Sequence, residues 1–242
     1  MNLPGPLSKL NERVDAGLRM LDRGLAKVMT VFIVLGVLLS CMHQSSLGTL
    51  MVIADGKLHP LWQTPMLPML FLLSAFAVGF PMVIFESILA SKSLHLRPER
   101  EMLGKLAAYI PMLLGVYFAA KLIDLLNRGS LGYAFEGTLA GNMFLLEVGL
   151  GVVIPFFILT NAKRRRSVRW LMTGATLVIF GVVMNRLNVF LIGYTPTGGQ
   201  SSYFPSFGEI AVTAGFIALI VLIYRFVVFN FPVIEHFKEH QA

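Results

Sequence analysis

Apolar residues run along this chain in six long blocks separated by short polar connections. An α-helix needs about 20 such residues to cross the hydrocarbon core of a bilayer. The blocks predict membrane-spanning helices over roughly residues 28–53, 65–90, 106–126, 142–160, 170–192 and 207–229. Upstream the period changes. Leu7, Leu10, Val14, Leu18, Leu21 and Leu25 recur at three- and four-residue steps, with Arg13, Asp15, Arg19, Asp22 and Arg23 mostly off that stripe. Residues 1–26 therefore read as a cytoplasmic amphipathic helix lying on the membrane surface or against the bundle. Their mixed charges and lack of a short apolar core ending in small residues exclude a cleavable signal peptide. The predicted fold is all-α: a segment 1–26, a six-span bundle over 27–229 and a cytoplasmic tail 230–242.

Composition agrees with the pattern: 56% of the 242 residues are hydrophobic, and mean hydropathy is +0.73. The net charge of +7 is explained by topology. Lys and Arg crowd the segment before the first span (Lys9, Arg13, Arg19, Arg23, Lys27), the second connection (Lys92, Arg97, Arg100, Lys105) and the fourth (Lys163, Arg164, Arg165, Arg166, Arg169). The other connections hold only Lys57 and Arg128. By the positive-inside rule both termini are cytoplasmic, and the charge needs no nucleic-acid partner. Lys163 to Arg166 also suit anionic lipid headgroups, as a secondary reading.

Redox centres have few candidate ligands. Cys41 is the single cysteine, so neither an internal disulfide nor an iron–sulfur cluster is expected. His59, His95, His236 and His240 fall in connections or the tail, which argues against bis-histidine haem. No catalytic triad, phosphate loop or metal-spaced cluster stands out. Gly198-Gly199 reads as a turn.

What remains is a set of ionisable residues within the spans, each costing roughly 2.5–3.5 kcal/mol at mid-bilayer unless paired or hydrated. His43 sits in Cys41-Met42-His43-Gln44-Ser45-Ser46-Leu47-Gly48, about 24 Å above Lys27 at 1.5 Å per residue. Lys121, Asp124, Glu147, Arg186 and Glu209 lie toward the same outer side, with Glu86 and Arg225 nearer the cytoplasmic face. The structural reading pairs Lys121 with Asp124 along their helix and neutralises Arg186 with Glu147 and Glu209. The functional reading makes Glu86, Glu147 and Arg186 parts of a proton path, with His43 hydrogen-bonding a quinone carbonyl. Spacing does not choose between them.

Leu25-Ala26-Lys27-Val28-Met29, Met42 to Gly48, His59-Pro60-Leu61-Trp62-Gln63, Met82-Val83-Ile84-Phe85-Glu86 and Tyr203-Phe204-Pro205-Ser206-Phe207-Gly208-Glu209 resemble the NrfD/polysulfide-reductase membrane anchors, in their HybB-type hydrogenase-2 branch. The resemblance covers nearly all of the chain after the first two dozen residues. It implies a haem-free, quinone-reactive subunit of the bacterial inner membrane. Its implied partners are a periplasmic ferredoxin-like iron–sulfur subunit and the small and large subunits of a [NiFe]-hydrogenase or a similar enzyme, with menaquinone as the quinone. It places His43, with Gln44 and Ser45, at the quinone pocket, and gives Glu147, Arg186 and Glu209 roles in proton movement or bundle stability.

Members of that branch have about ten spans, and this chain resembles the last six. The resemblance therefore implies an incomplete pocket, from a misassigned start, an interrupted gene or a split subunit whose other four helices come from a separate chain. Met1 before an amphipathic helix is compatible with a genuine start. Two other readings stand beside the anchor. One is a secondary transporter or ion-translocating subunit, suggested by intramembrane carboxylates and by an interruption at Gly79-Phe80-Pro81. The other is a purely structural anchor.

Overall fold

A computed structural model describes residues 6–54, 56–94, 99–195 and 203–230, without the side chains of residues 6–19, 21–23 and 26. The apolar stripe of the first segment except Leu25, and its charged residues Arg13, Asp15, Arg19, Asp22 and Arg23, thus lie outside the described side chains, and His95, Arg97, Gly198-Gly199 and the tail with His236 and His240 lie outside the described residues. The chain divides into two compact units, Met1–Gly198 and Gly199–Ala242. Among the described residues, six helical stretches are long and apolar enough to span a membrane: Lys27–Ile53, Leu67–Ser93, Arg100–Asn127, Leu139–Thr160, Val168–Ile192 and Phe207–Asn230.

In the first unit, α1 runs unbroken from Pro6 to Ile53, so the backbone has no break at residue 26. Helix α2 spans Leu67–Ser93 with Pro68 in its first turn, where a missing N–H costs nothing. It also carries Pro81 inside it, with Pro81 buried. The expected interruption at Gly79-Phe80-Pro81 is therefore absent. One lost hydrogen bond does not end a helix whose neighbours keep water away from its backbone.

The third span is built of α3, Arg100–Leu106, and α4, Ile110–Asn127. The fourth starts with α5, Leu139–Val148, whose cap Thr138 accepts the N–H of Gly141 at 3.1 Å. It passes through a π-helical stretch, Gly149–Val153, into α6, Ile154–Thr160. A short α7, Ala162–Arg165, follows. The fifth span is α8, Val168–Leu187, ending in a second π-helical stretch, Asn188–Ile192.

The second unit contains α9, Phe207–Asn230. Its start is a capping box: the Ser206 N–H donates to Glu209 Oε2 at 3.1 Å, while the Glu209 N–H reaches Ser206 Oγ at 3.4 Å. The Tyr203 hydroxyl also donates to Glu209 Oε2.

Two layers of core fill the first unit. One joins α2, α4, α6 and α8 through Ile84, Ile110, Leu114, Leu159, Leu171 and Val178. The other, around Leu58, Trp62, Phe71, Leu125, Phe144 and Val189, lies beneath the odd-numbered connections. Those connections are tied together. The His59 N–H donates to Gly193 O at 2.7 Å, the Thr195 N–H to Lys57 O at 2.7 Å, and Arg128 Nη1 to Pro60 O and Gln63 O at 2.7 Å each. His59 packs edge-on against Trp62 and Tyr133, and burial holds its imidazole below the usual histidine pKa, against a smaller opposite pull from Glu136. The second and fourth connections meet at a groove lined by Arg100, Lys105, Arg165 and Arg166.

Close helix approach depends on small residues, as expected where lipid supplies no hydrophobic drive for helices to associate. A Cβ on either Gly151 or Gly181 would run into the Cα of the other, so the π-helical stretch of the fourth span touches α8 backbone to backbone. A Cβ at Gly48 would come within 2.7 Å of Pro68 Cα, so α1 also meets α2 closely, though less so than the Gly151–Gly181 pair. Gly181→Leu is expected to push these helices apart and destabilise the protein by about 1–3 kcal/mol or more. Gly79→Ala, with nothing within 4 Å of the added methyl, should be close to neutral. Thermal unfolding of both variants in detergent checks the contrast.

Candidate functional site

Glu147, on the inward face of α5, is 2% exposed. The ammonium of Lys121, 4% exposed on α4, forms an ion pair with its Oε1. Asn185 Nδ2 donates to the same oxygen at 2.9 Å, and Asn188 Nδ2 to Oε2 at 2.8 Å. Lys121 also approaches the Tyr117 hydroxyl at 3.4 Å and lies 4.8 Å from the centre of the Phe144 ring. Charged and amide donors thus satisfy the carboxylate inside the bundle, which is what makes its burial tolerable.

The network continues through Asn185. Its Oδ1 accepts Arg186 Nη1 at 2.6 Å, while Arg186 Nη2 donates to Ser74 Oγ at 2.9 Å and to Phe71 O at 3.3 Å. Both Nε and Nη2 reach Gln44 Oε1, at 3.2 and 3.1 Å. The guanidinium lies 3.6 Å from the centre of the Phe71 ring, a cation–π contact. Side chains from α1, α2, α4, α5 and α8 therefore meet in one polar assembly, and both π-helical stretches adjoin it. Such widened turns rotate the residues that follow, and they recur at functional sites.

Two small cavities flank the assembly. One, of about 10 Å³, is lined by Trp62, Thr64, Tyr117, Lys121, Asp124 and Asn185 among others. A second of about 10 Å³ is lined by Ser74, Tyr117, Glu147, Gly151 and Gly181 among others. Each has room for about one water. Trp62, which lines the first, has a buried Nε1 with no hydrogen-bond partner among the described residues, as does Asn188 Oδ1 beside Glu147.

The pairings expected from sequence are corrected. Lys121 does not pair with Asp124; it turns inward to Glu147, and Asp124 takes Arg128 (Oδ2 to Nη2, 2.7 Å) and the Thr64 hydroxyl (2.7 Å). Asp124 and Arg128 stand four residues apart, the spacing at which helix neighbours meet. Glu147 does not neutralise Arg186 directly, because the Asn185 amide stands between them, donating to one and accepting from the other. The carboxylate of Glu209 serves the cap of its own helix.

Of the residues singled out for a quinone, only Gln44 joins the assembly. Ser45 is half-buried and accepts the Thr49 hydroxyl at its carbonyl, 3.2 Å. His43 is exposed on α1, and its imidazole makes no hydrogen bond among the described residues. Glu86 is exposed on α2, and Arg225 is exposed on α9 over the Phe229 ring at 5.7 Å. Asn185, Asn188, Ser74 and Tyr117 were not singled out; the signal for the first two was a pair of amides three residues apart in an apolar span.

Residues 11–197 match the polysulphide reductase NrfD family. The chain belongs to the NrfD family. It is 37% identical over 219 residues to an Escherichia coli protein named as a Ni/Fe-hydrogenase 2 b-type cytochrome subunit, covering 89% of this chain and 55% of that protein. It is 34% identical over 236 residues to a Nitratidesulfovibrio vulgaris protein, covering 93% and 60% respectively. A Halobacterium salinarum protein named as a membrane subunit of dimethyl sulfoxide reductase is 26% identical over 196 residues, covering 67% of this chain and 44% of that protein. The chain thus spans about half the length of the curated NrfD relatives it matches. No solved structure matches it.

One relative's name raises haem. The described histidines of this NrfD chain do not fit a haem pair: His43 is exposed on α1, and His59 lies in a connection, where its Nδ1 accepts the Leu61 N–H at 3.3 Å.

Breaking one half of a buried ion pair leaves an uncompensated charge and costs about 3–5 kcal/mol, whereas replacing both halves with apolar groups is often neutral. Lys121→Met is therefore expected to lower the unfolding temperature sharply. The double variant Lys121→Met/Glu147→Leu should recover much of that loss, though Asn185 and Asn188 then lose their acceptor. Thermal unfolding in detergent of the wild type, both single variants and the double variant measures the coupling.

Proposed function

We propose that this chain is the quinone-reactive membrane anchor, or part of one, of a respiratory oxidoreductase complex. The enzyme served is a [NiFe]-hydrogenase or a similar periplasmic enzyme, reached through a ferredoxin-like iron–sulfur subunit. The quinone is menaquinone, the membrane is the bacterial inner membrane, and the termini face the cytoplasm, following the asymmetry of Lys and Arg between connections. The first part of the family fold comes from further chain or from a separate subunit.

The observation that carries the reading is the Gln44–Arg186 bridge within an NrfD chain. It fixes the rotation of α1 so that Gln44 points into the charge assembly and His43, one residue earlier, points out. An imidazole exposed at membrane depth needs a partner. On this face a quinone headgroup supplies one, its carbonyl accepting from the imidazole N–H. Reduction to quinol takes two electrons, delivered by the iron–sulfur partner, and two protons, one handed to one quinone oxygen by His43 and the other to the second oxygen by acids of the remainder of the family fold. Proton movement through Glu147, which lines one single-water cavity while its partners Lys121 and Asn185 line the other, is the further part of the proposal.

The assembled complex with His43→Ala is expected to lose about tenfold or more of its quinone-linked turnover, in line with a hydrogen bond of about 1–3 kcal/mol, while hydrogenase activity with a soluble dye stays unchanged. Full quinone-linked turnover would remove His43 from the site. Saturable binding of a menaquinone analogue separates this reading from a transporter or a purely structural anchor. Unchanged proton movement in proteoliposomes bearing Glu147→Gln would remove Glu147 from the path.

A further inference from the structure

At the end of the bundle opposite the tied odd-numbered connections lies a groove of about 620 Å³, lined by Arg100, Glu101, Gly104, Lys105, Ala108, Ala162, Arg165 and Arg166. We infer that it is a binding site for the phosphodiester headgroup of an anionic phospholipid.

Its charges come from connections more than fifty residues apart in sequence, brought together because Gly104 lets α3 approach α7. A Cβ there would stand 3.2 Å from Arg165 O. Of the groove's charges, the carboxylate of Glu101 is taken by Lys105 at 2.7 Å. Among the described residues Arg100, Arg165 and Arg166 have no carboxylate partner. Glu99 lines an adjoining hollow with Arg100, Glu101, Met102 and Lys105. The guanidinium groups present planar forks of donors suited to two oxygens of a phosphate. Gly104, Ala108 and Ala162 leave room beneath for the glycerol.

The positive-inside rule accounts for basic residues on this side of the membrane but not for their meeting, from two connections, around one hollow that small residues also line. Aromatic residues of the interfacial kind accompany the groove. Arg164 lies 5.1 Å from the centre of the Trp170 ring, and Trp170 and Tyr109 are exposed nearby, as aromatic residues are at membrane interfaces.

The test is native mass spectrometry of the full chain, gently extracted with its co-purifying subunits, scored for retained lipid. The wild type should keep phosphatidylglycerol or cardiolipin in preference to phosphatidylethanolamine. Arg165→Gln/Arg166→Gln should lose that retention by about fivefold or more, and Lys163→Gln/Arg169→Gln, which removes equal charge from outside the groove, should keep it. Equal retention of phosphatidylethanolamine, or undiminished retention by the groove variant, overturns the inference. Displacement by millimolar inorganic phosphate overturns the lipid source and makes the groove a soluble-phosphate site. Should the groove variant fail to insert, wild-type chain in phosphatidylethanolamine nanodiscs decides. Titrated phosphatidylglycerol should raise its unfolding temperature in a salt-sensitive, saturable way, and no rise sinks the idea.

Discussion

A carboxylate among membrane helices has to be answered where it stands, and around Glu147 the answer organises the first unit. Lys121 supplies the countercharge, and Asn185 and Asn188 supply two amide donors. The three donors come from α4 and from the end of the fifth span, so satisfying one side chain fixes the positions of three spans relative to one another. Small residues then determine how closely the spans pack. The Gly151–Gly181 contact lies next to the assembly and lines one of its cavities. Polar satisfaction and close packing here are therefore a single constraint, since separating the helices would also strand the carboxylate.

Arg186 extends that constraint to α1. Between Lys27 and Ile53 α1 has little core of its own, and its register against α2 is set by Gly48 on Pro68 and by Gln44 on Arg186. Because successive residues on a helix are about 100° apart, pinning Gln44 inward decides where His43 faces. The orientation of the proposed quinone ligand is a consequence of a hydrogen bond made by its neighbour.

The spans were legible in the sequence because burial in lipid demands long apolar runs, and the identities of the charged residues within them were equally plain. Their partners were not. Sequence spacing shows which residues meet along one helix, and it favoured Lys121 with Asp124. Pairing across helices depends on each helix's rotation about its axis, and the π-helical stretches after Glu147 and from Asn188 onward alter that rotation without an obvious mark in composition. Asn185 and Asn188 are hidden for a different reason: as neutral residues they incur no visible penalty in a span, yet they provide two of the three donors to Glu147. Glu209 shows the opposite error. Ser206-Phe207-Gly208-Glu209 carries the capping-box signature openly, and a carboxylate near the end of a span is as readily explained by its own helix start as by a partner on another helix.

The two ends of the first unit treat positive charge differently, and the difference separates structure from recognition. At one end Arg128 is consumed: Asp124 neutralises it and carbonyls of the first connection accept its donors, so it serves as a clamp between loops. Arg186, deeper in, is likewise surrounded by acceptors from three elements. At the other end Arg100, Arg165 and Arg166 line an open hollow with no carboxylate committed to them among the described residues. A guanidinium that fastens a fold is recognised by its saturated donors. One that lines a groove beside other guanidinium groups, with no carboxylate partner among the described residues, suits an anion from outside the chain, and at a membrane interface the abundant species of matching charge and shape is a lipid phosphate.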